Sequence, residues 1–230
     1  MKVAVLGTGM VGRAIAVKLT ELGHEVVIGT RDVGKTLAQK EPDRYGNPPF
    51  ATWLDERPSL VLDTFAAAAG HGDPLIVNCT SGMASMSALE MAGKANLRGK
   101  VLVDIANPLD FSRGMPPTLD PVNTDSLAEQ IQRAFPELKV VKTLNTMNAR
   151  LMVDPSLVRG DHTVFVSGND AGAKAEVGKL LRAFGWAPHN ILDLGDIGTA
   201  RGTEMLLPIW LRLWGALGTA EFNFHIQRNG

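Results

Sequence analysis

The opening segment of the chain constrains its fold most. Residues 2–6 are an apolar run, and Gly7-Thr8-Gly9-Met10-Val11-Gly12 follows at once. A helical stretch to Leu22 and a second apolar run, residues 25–28, complete a predicted strand, glycine turn, helix and strand. That order opens a dinucleotide-binding βαβ unit. Gly7 allows a tight turn, Gly9 lets backbone amides approach a pyrophosphate, and Gly12 lets helix and strand pack closely. The helix N-terminus adds unpaired N–H groups and a partial positive charge. Gly7, Thr8, Gly9, Met10, Val11 and Gly12 are therefore cofactor-binding candidates.

The end of the second strand separates NAD from NADP. NAD-binding chains place an Asp or Glu there, about 20 residues beyond the glycines, to hold the ribose hydroxyls. Thr30 occupies that place here, with Arg31 beside it and Lys35 one helical turn further on. A hydroxyl, a guanidinium and an ammonium suit a 2′-phosphate that a carboxylate would repel. Asp32 either binds ribose or caps the helix that begins near Val33. Arg31 and Lys35 also suit a plain solvated surface. The patch as a whole favours NADP(H).

With 230 residues and a formal charge of −1, the chain can bury a sizeable core and carries no basic block for nucleic acid or an anionic membrane. The N-terminus enters a strand without a signal-peptide pattern. The long apolar stretch at residues 205–217 is broken by Pro208, Arg212 and Gly215 and is too short to span a bilayer. A lone cysteine, Cys79, excludes an internal disulfide and suits a reducing cytoplasm. His24, His71, His162, His189 and His225 show no ligand spacing and read as surface or loop residues, so no metal site is expected.

Strands are predicted at residues 60–62, 75–79, 100–105 and 139–144, with helices at 32–40, 64–69, from Gly82 to about Ala95, and at 124–135. Thr124 or Asp125 would cap the last. Such alternation implies an α/β fold, a Rossmann-type doubly wound parallel sheet. Residues 41–49, with the lone Tyr45, form a polar loop. Residues 109–123, with Pro116, Pro117 and Pro121 following Pro108, read as a long structureless loop of the kind that often serves as a lid. A βαβ-like piece at residues 163–194 and a helical tail at 198–224 suggest a division into 1–155, binding the nucleotide, and a small C-terminal part, 156–230.

Ligands of doubly wound sheets bind beyond the carboxyl ends of the strands, at the switch in strand order. Cys79, Thr80 and Ser81 end one strand, and the two hydroxyls either touch the nicotinamide ribose or phosphates or cap the next helix. Asn107 and Pro108 end another, where Asn107 holds the carboxamide or ribose or simply serves a turn. Asn145, Thr146 and Met147, continued by Asn148, lie where a second ligand would stack on nicotinamide, or make a turn that needs Asn chemistry. No strand-end His, Tyr or Lys offers itself as an alcohol dehydrogenase's proton donor, and Tyr45 has no suitably spaced lysine. Hydride exchange between two stacked redox cofactors needs positioning more than acid–base help, so no catalytic residue is assigned.

These residues resemble the coenzyme F420-dependent NADP reductases. The likeness runs through Gly7–Gly12, the Gly29-Thr30-Arg31…Lys35 patch, Lys142-Thr143-Leu144-Asn145-Thr146, and Arg201…Glu204…Leu207-Pro208. The ferric reductase domains of metazoan metalloreductases are similar in the N-terminal half. The resemblance implies an NADP-holding Rossmann domain, a small C-terminal domain, and a deazaflavin (F420) stacked on nicotinamide, with a flavin as the other acceptor. It also implies a homodimer. Residues 206–217, with Trp210 and Trp214, would supply part of its interface or else form a buried helix. Asn145 stands where the archaeal members carry a His, and Met147-Asn148 replaces an apolar-Pro pair, which bears on the second substrate. Two other readings share the N-terminal motif: a non-catalytic NADP-sensing module, and a small hydroxyacid or imine reductase. The latter enzymes usually bring a long helical C-terminal domain with a catalytic lysine, and only about 45 residues follow Gly185.

Overall fold

Short apolar runs with one polar residue at the carboxyl end become the central strands. The computed structural model describes residues 1–43 and 46–229, so Tyr45 lies outside the described residues. The first half is β1 (Lys2–Leu6), α1 (Met10–Glu21), β2 (Glu25–Thr30), α2 (Val33–Ala38), α3 (Phe50–Asp55), β3 (Val61–Thr64), α4 (Phe65–His71), β4 (Pro74–Asn78), α5 (Gly82–Ala92), α6 (Lys94–Leu97) and β5 (Val101–Asp104). A small hairpin, β6 (Leu109–Asp110) with β7 (Thr118–Leu119), leads to α7 (Leu127–Ala134), β8 (Lys139–Thr143) and α8 (Ala149–Val153). Then come β9 (Val164–Gly168), α9 (Ala171–Ala183), β10 (Ile191–Gly195), α10 (Ala200–Glu204) and α11 (Leu207–Leu217).

Eight strands share one sheet in the order β10-β9-β8-β5-β4-β1-β2-β3. From β3 to β8 every pair is parallel, as a Rossmann-type sheet requires. The sheet is the expected doubly wound one, with a single departure at β9, which runs antiparallel to β8 and parallel to β10. A parallel return needs a crossover that recrosses the sheet. The five residues of α8 rise only about 7 Å, so the chain turns back beside β8 instead. The division expected after residue 155 falls in this return, and the strands on either side of it belong to the same sheet.

Each face of the sheet carries a core. Ile15 and Leu19 of α1, Phe50 and Trp53 of α3, Leu151 of α8 and Leu181 of α9 cover one. Phe65 of α4, Leu89 of α5, Leu97 of α6, Ile131 of α7 and Ala200 of α10 cover the other. Among the described residues, no helix is long and apolar enough to cross a membrane.

Three local expectations need correction. The loop at 109–123 is not structureless, because Leu109 and Asp110 pair with Leu119 and Thr118. The helix after it is capped by Ser126 rather than Thr124 or Asp125: the Ser126 hydroxyl accepts from Glu129 N and donates to the Glu129 carboxylate, and the Asp125 carboxylate pairs with Arg133. The tail is not one helix to residue 224, since Gly218 ends α11 in the left-handed region with φ 66°. His162 lies in a loop, as expected, but is buried there, edge-on to Trp186 at 5.0 Å and 3.0 Å from the Pro155 carbonyl.

Strand register lines up a buried polar row across three central strands. Asn78 of β4 pairs with Asp104 of β5, which pairs with Lys142 of β8. The Lys142 ammonium is fully buried, 2.9 Å from Asp104 Oδ2 and 2.8 Å from Glu204 Oε1, and donates to the Ala106 carbonyl. Asn78 donates to Asp104 Oδ1 at 2.9 Å and to Ser85 at 3.1 Å. Glu204 also accepts from the first amides of α7, Leu127 N at 2.9 Å and Ala128 N at 3.2 Å. Its negative charge thus sits on the positive end of that helix. Glu129 holds Arg201 through two bonds of 2.7 and 2.5 Å, a second tie from α10 to α7.

Burial pulls the Lys142 ammonium down, but Asp104 and Glu204 outweigh it and leave its pKa above the ordinary lysine value of 10.5. A pKa raised by folding contributes stability below 10.5 that is lost only as the pH climbs through the folded value. Replacing Lys142 by Met strands two buried carboxylates and should cost about 3–5 kcal/mol in urea unfolding at neutral pH. A loss below about 1 kcal/mol would show that the row contributes little.

Candidate active site

A cleft of about 550 Å³ opens where β1, β4, β5 and β8 end, beside the switch in strand order between β1 and β4. Two helices begin at its edge. The Gly7 turn feeds α1: Gly7 adopts φ +119°, and a Cβ there would lie 2.7 Å from the Cys79 carbonyl oxygen. A Cβ on Gly12 would lie 2.1 Å from the Gly7 carbonyl oxygen, so these two glycines are required by packing alone. A Cβ on Gly9 would meet no protein atom within 4 Å, which leaves open space over the start of α1.

No side chain caps α1 at Gly9 or α5 at Ser81, whereas Asp32, Ser126, Asn148 and Asp170 cap α2, α7, α8 and α9. At the edge of the cleft, α1 and α5 therefore keep first-turn donors and positive dipole ends free for an anion. Arg13 in α1 braces the turn by donating to the Thr8 carbonyl at 3.1 Å and to the Pro48 carbonyl at 2.7 Å, with Phe50 beneath its guanidinium at 5.3 Å.

The opposite wall comes from β5 and β8. Leu144 has φ +61°, a left-handed backbone that is strained for Leu, and this bend turns the chain out of β8. Asn145 then donates to Asn107 Oδ1 at 2.9 Å, while Asn107 donates to the Asn145 carbonyl at 2.8 Å. The two strand ends lock each other. Met147 and Met152 add apolar surface, and α11 returns to close the cleft with Leu207 and Trp210.

Of the residues picked from sequence, Gly9, Met10, Val11, Cys79, Thr80, Ser81, Asn107, Asn145 and Met147 line this cleft together. Gly7, Thr8 and Gly12 shape the turn beneath it. Pro108 and Thr146 are buried outside the lining. Thr80 caps nothing; its hydroxyl bonds Asn78 Oδ1 at 2.7 Å and joins the polar row. Thr30, Arg31 and Lys35 stand apart at the end of β2. The Thr30 hydroxyl meets that of Thr36 at 2.8 Å, and Asp32 caps α2 at Lys35 N. Lys35 Nζ is 3.7 Å from Asp32 Oδ2, and Arg31 is exposed, with no hydrogen bond or ion pair among the described residues.

Sequence reasoning missed Arg13, Leu207 and Trp210. The first was legible as a cation one turn into the helix; the last two reach the cleft only because Glu204 ties α10 to Lys142. Among the described residues, none that lines the cleft is Asp, Glu, His, Lys or Arg. Burial of the thiol, reinforced by Asp104, pushes the pKa of Cys79 up, which favours the protonated form at neutral pH.

Comparison with known proteins places this arrangement. Residues 2–108 match the family described as NADP oxidoreductase, coenzyme F420-dependent. A crystal structure from Arthrobacter sp. fb24, provisionally named an F420-dependent NADP-reductase, is 65% identical over 99% of this chain and 100% of its own, with a TM-score of 0.94. The chain belongs to the F420-dependent NADP oxidoreductase family. F420-dependent NADP reductase of Methanothermobacter marburgensis is 29% identical over 93% of this chain and 92% of its own length. Metalloreductase STEAP3 of Rattus norvegicus is 30% identical over 91% of this chain, so that likeness extends beyond the N-terminal half. The chain spans only 38% of that relative's length. A reductive aminase from Aspergillus terreus, 16% identical with a TM-score of 0.62, shares the fold.

The glycines in the turn are separable by experiment. Gly12→Ala should lower the melting temperature by several degrees or prevent folding, since its Cβ overlaps the Gly7 carbonyl. Gly9→Ala should melt like the wild type. Equal destabilisation of both variants in thermal unfolding would contradict this geometry.

Proposed function

We propose that the chain is an NADP(H)-dependent oxidoreductase that exchanges hydride between nicotinamide and a deazaflavin of the F420 type. The observation that carries this reading is the cleft lining: two uncapped helix N-termini, locked amides and apolar surface, with no charged side chain. Such a site orients and dries two reactants but offers no proton donor or acceptor. NADPH, when bound, would supply the hydride, and the proton that completes the reduced deazaflavin would come from solvent.

The chain's own residues divide the remaining work. First-turn amides of α1, reached over Gly9, hold the pyrophosphate, with Gly7, Thr8, Met10, Val11 and Gly12 forming the cradle. Arg31, free at the end of β2, takes the 2′-phosphate with Thr30 and Lys35 beside it. Cys79, Thr80 and Ser81 face the ribose side, and Asn107, Pro108, Asn145, Thr146 and Met147 form and back the wall of the acceptor pocket. Residues 1–155 serve as the nucleotide-binding part and 156–230 as the smaller part that closes the cleft.

The wider setting is proposed on the same footing: a cytoplasmic enzyme acting as a homodimer. Of α11, only Leu207 is buried, which does not fit a helix buried within one chain; Ile209, Trp214 and Leu217 are 47%, 40% and 56% exposed. An apolar helix left open in this way is the natural interface. Trp214→Asp should convert a dimer to a monomer in light scattering, and a wild-type monomer would overturn the assignment.

Two measurements test the reaction. NADPH oxidation should proceed with F420, and neither F420, FMN nor FAD turning over at saturation would overturn the proposal. Arg31→Ala should weaken NADPH binding by roughly 1.5–3 kcal/mol and leave NADH nearly unchanged, read by calorimetry. Equal losses for both would remove Arg31 from the phosphate site.

A further inference from the structure

Trp210 poses a question that the nucleotide does not answer. It lines the cleft from α11, stacked on Phe222 with ring centroids 5.3 Å apart and planes 24° apart. Its indole Nε1 is shielded from solvent and has no hydrogen-bond partner among the described residues. Buried indole N–H groups normally find an acceptor, and one left unmade calls for an explanation. His71 Nε2 and Asn223 Oδ1 share this condition, but neither residue borders the cleft.

The position of Trp210 narrows the candidates for the missing acceptor. The segment that carries Phe222 is tied to the far side of the cleft: Asn148 donates to the Ala220 carbonyl, Asn223 to the Thr163 carbonyl at 3.0 Å, and Thr163 N to the Phe224 carbonyl at 2.8 Å. Trp210 thus belongs to the wall of Met147 and Met152 rather than to the glycine turn. That wall is apolar, and Asn107 and Asn145 spend part of their hydrogen-bonding capacity on each other. A flat, fused heterocycle with ring carbonyls would fill it, its face against methionine and aromatic surface and one carbonyl within reach of the indole.

We infer that Trp210 is a specificity-determining residue for the hydride acceptor, its indole N–H donating to a ring carbonyl of that heterocycle. This rests on the hydride-exchange reading above. The nicotinamide carboxamide offers the same carbonyl chemistry, so the experiment must separate the two ligands.

Trp210→Phe keeps an aromatic ring and deletes only the donor. With F420 as the probe, its KM for F420 should rise about fivefold or more, the value of one hydrogen bond, while KM for NADPH and the melting temperature stay as in the wild type. An unchanged F420 KM overturns the inference. A rise in the NADPH KM alone also overturns it, since the donor would then serve the carboxamide. Wild-type protein that binds NADPH but neither binds nor reduces F420 or a flavin overturns the underlying reading, and this inference with it. A second readout does not depend on the variant folding: of the indole N–H signals of the four tryptophans in the wild type, one should move downfield with F420 and not with NADP alone. No shift with F420 counts against the assignment.

Discussion

Lys142 is fully buried between Asp104 and Glu204, and much of the rest of the structure follows from satisfying that charge. Removing an ammonium from water is costly, and the cost is met only if both carboxylates and the Ala106 carbonyl stay in place. Asp104 is held in turn by Asn78, and Glu204 by the amides that open α7. A slip of one residue in β5 or β8 would send its member of the row to the opposite face of the sheet. The row therefore pins the register of three strands just below the ends that line the cleft.

The same contacts connect the tail to the site. Glu204 lies at the end of α10, and α11 follows after two residues and brings Leu207 and Trp210 over the cleft. Arg201 on Glu129 repeats the tie one turn earlier. Side-chain hydrogen bonds to Arg201 and Ser126 hold the Glu129 carboxyl below its ordinary range even as burial pushes it up. A carboxyl lowered by folding lends stability above its unfolded value of 4.5 and loses it as the pH falls through the folded one. Acid should therefore loosen the tail at Glu129, on the opposite side of neutrality from Lys142.

What was legible in the sequence was local. Gly7 and Gly12 are demanded by a positive φ and a carbonyl 2.1 Å from a missing Cβ, constraints that act within a few residues. The Asp32 cap and the strand–helix alternation are of the same kind. The polar row was not legible, because Asn78, Asp104 and Lys142 each look like an ordinary polar strand end until register sets them side by side. Nor was Trp210, whose place depends on an ion pair between residues 142 and 204. The antiparallel turn at β9 was readable in principle, since the link before it holds too little helix to recross the sheet. The Ser126 cap was also readable from the Ser-x-x-Glu spacing of Ser126 and Glu129, and Asp125 obscured it by standing one residue earlier.

A cleft that positions two reactants and carries no acid or base should transfer hydride directly. The decisive measurement follows deuterium from NADPH labelled at the transferring C4 position into F420 in ordinary water, read by mass spectrometry of the product. Full retention of the label in the reduced deazaflavin is expected, because that carbon-bound hydrogen never meets solvent. Unlabelled reduced product, or label lost to water during turnover, would contradict direct transfer between two ligands held in one cleft.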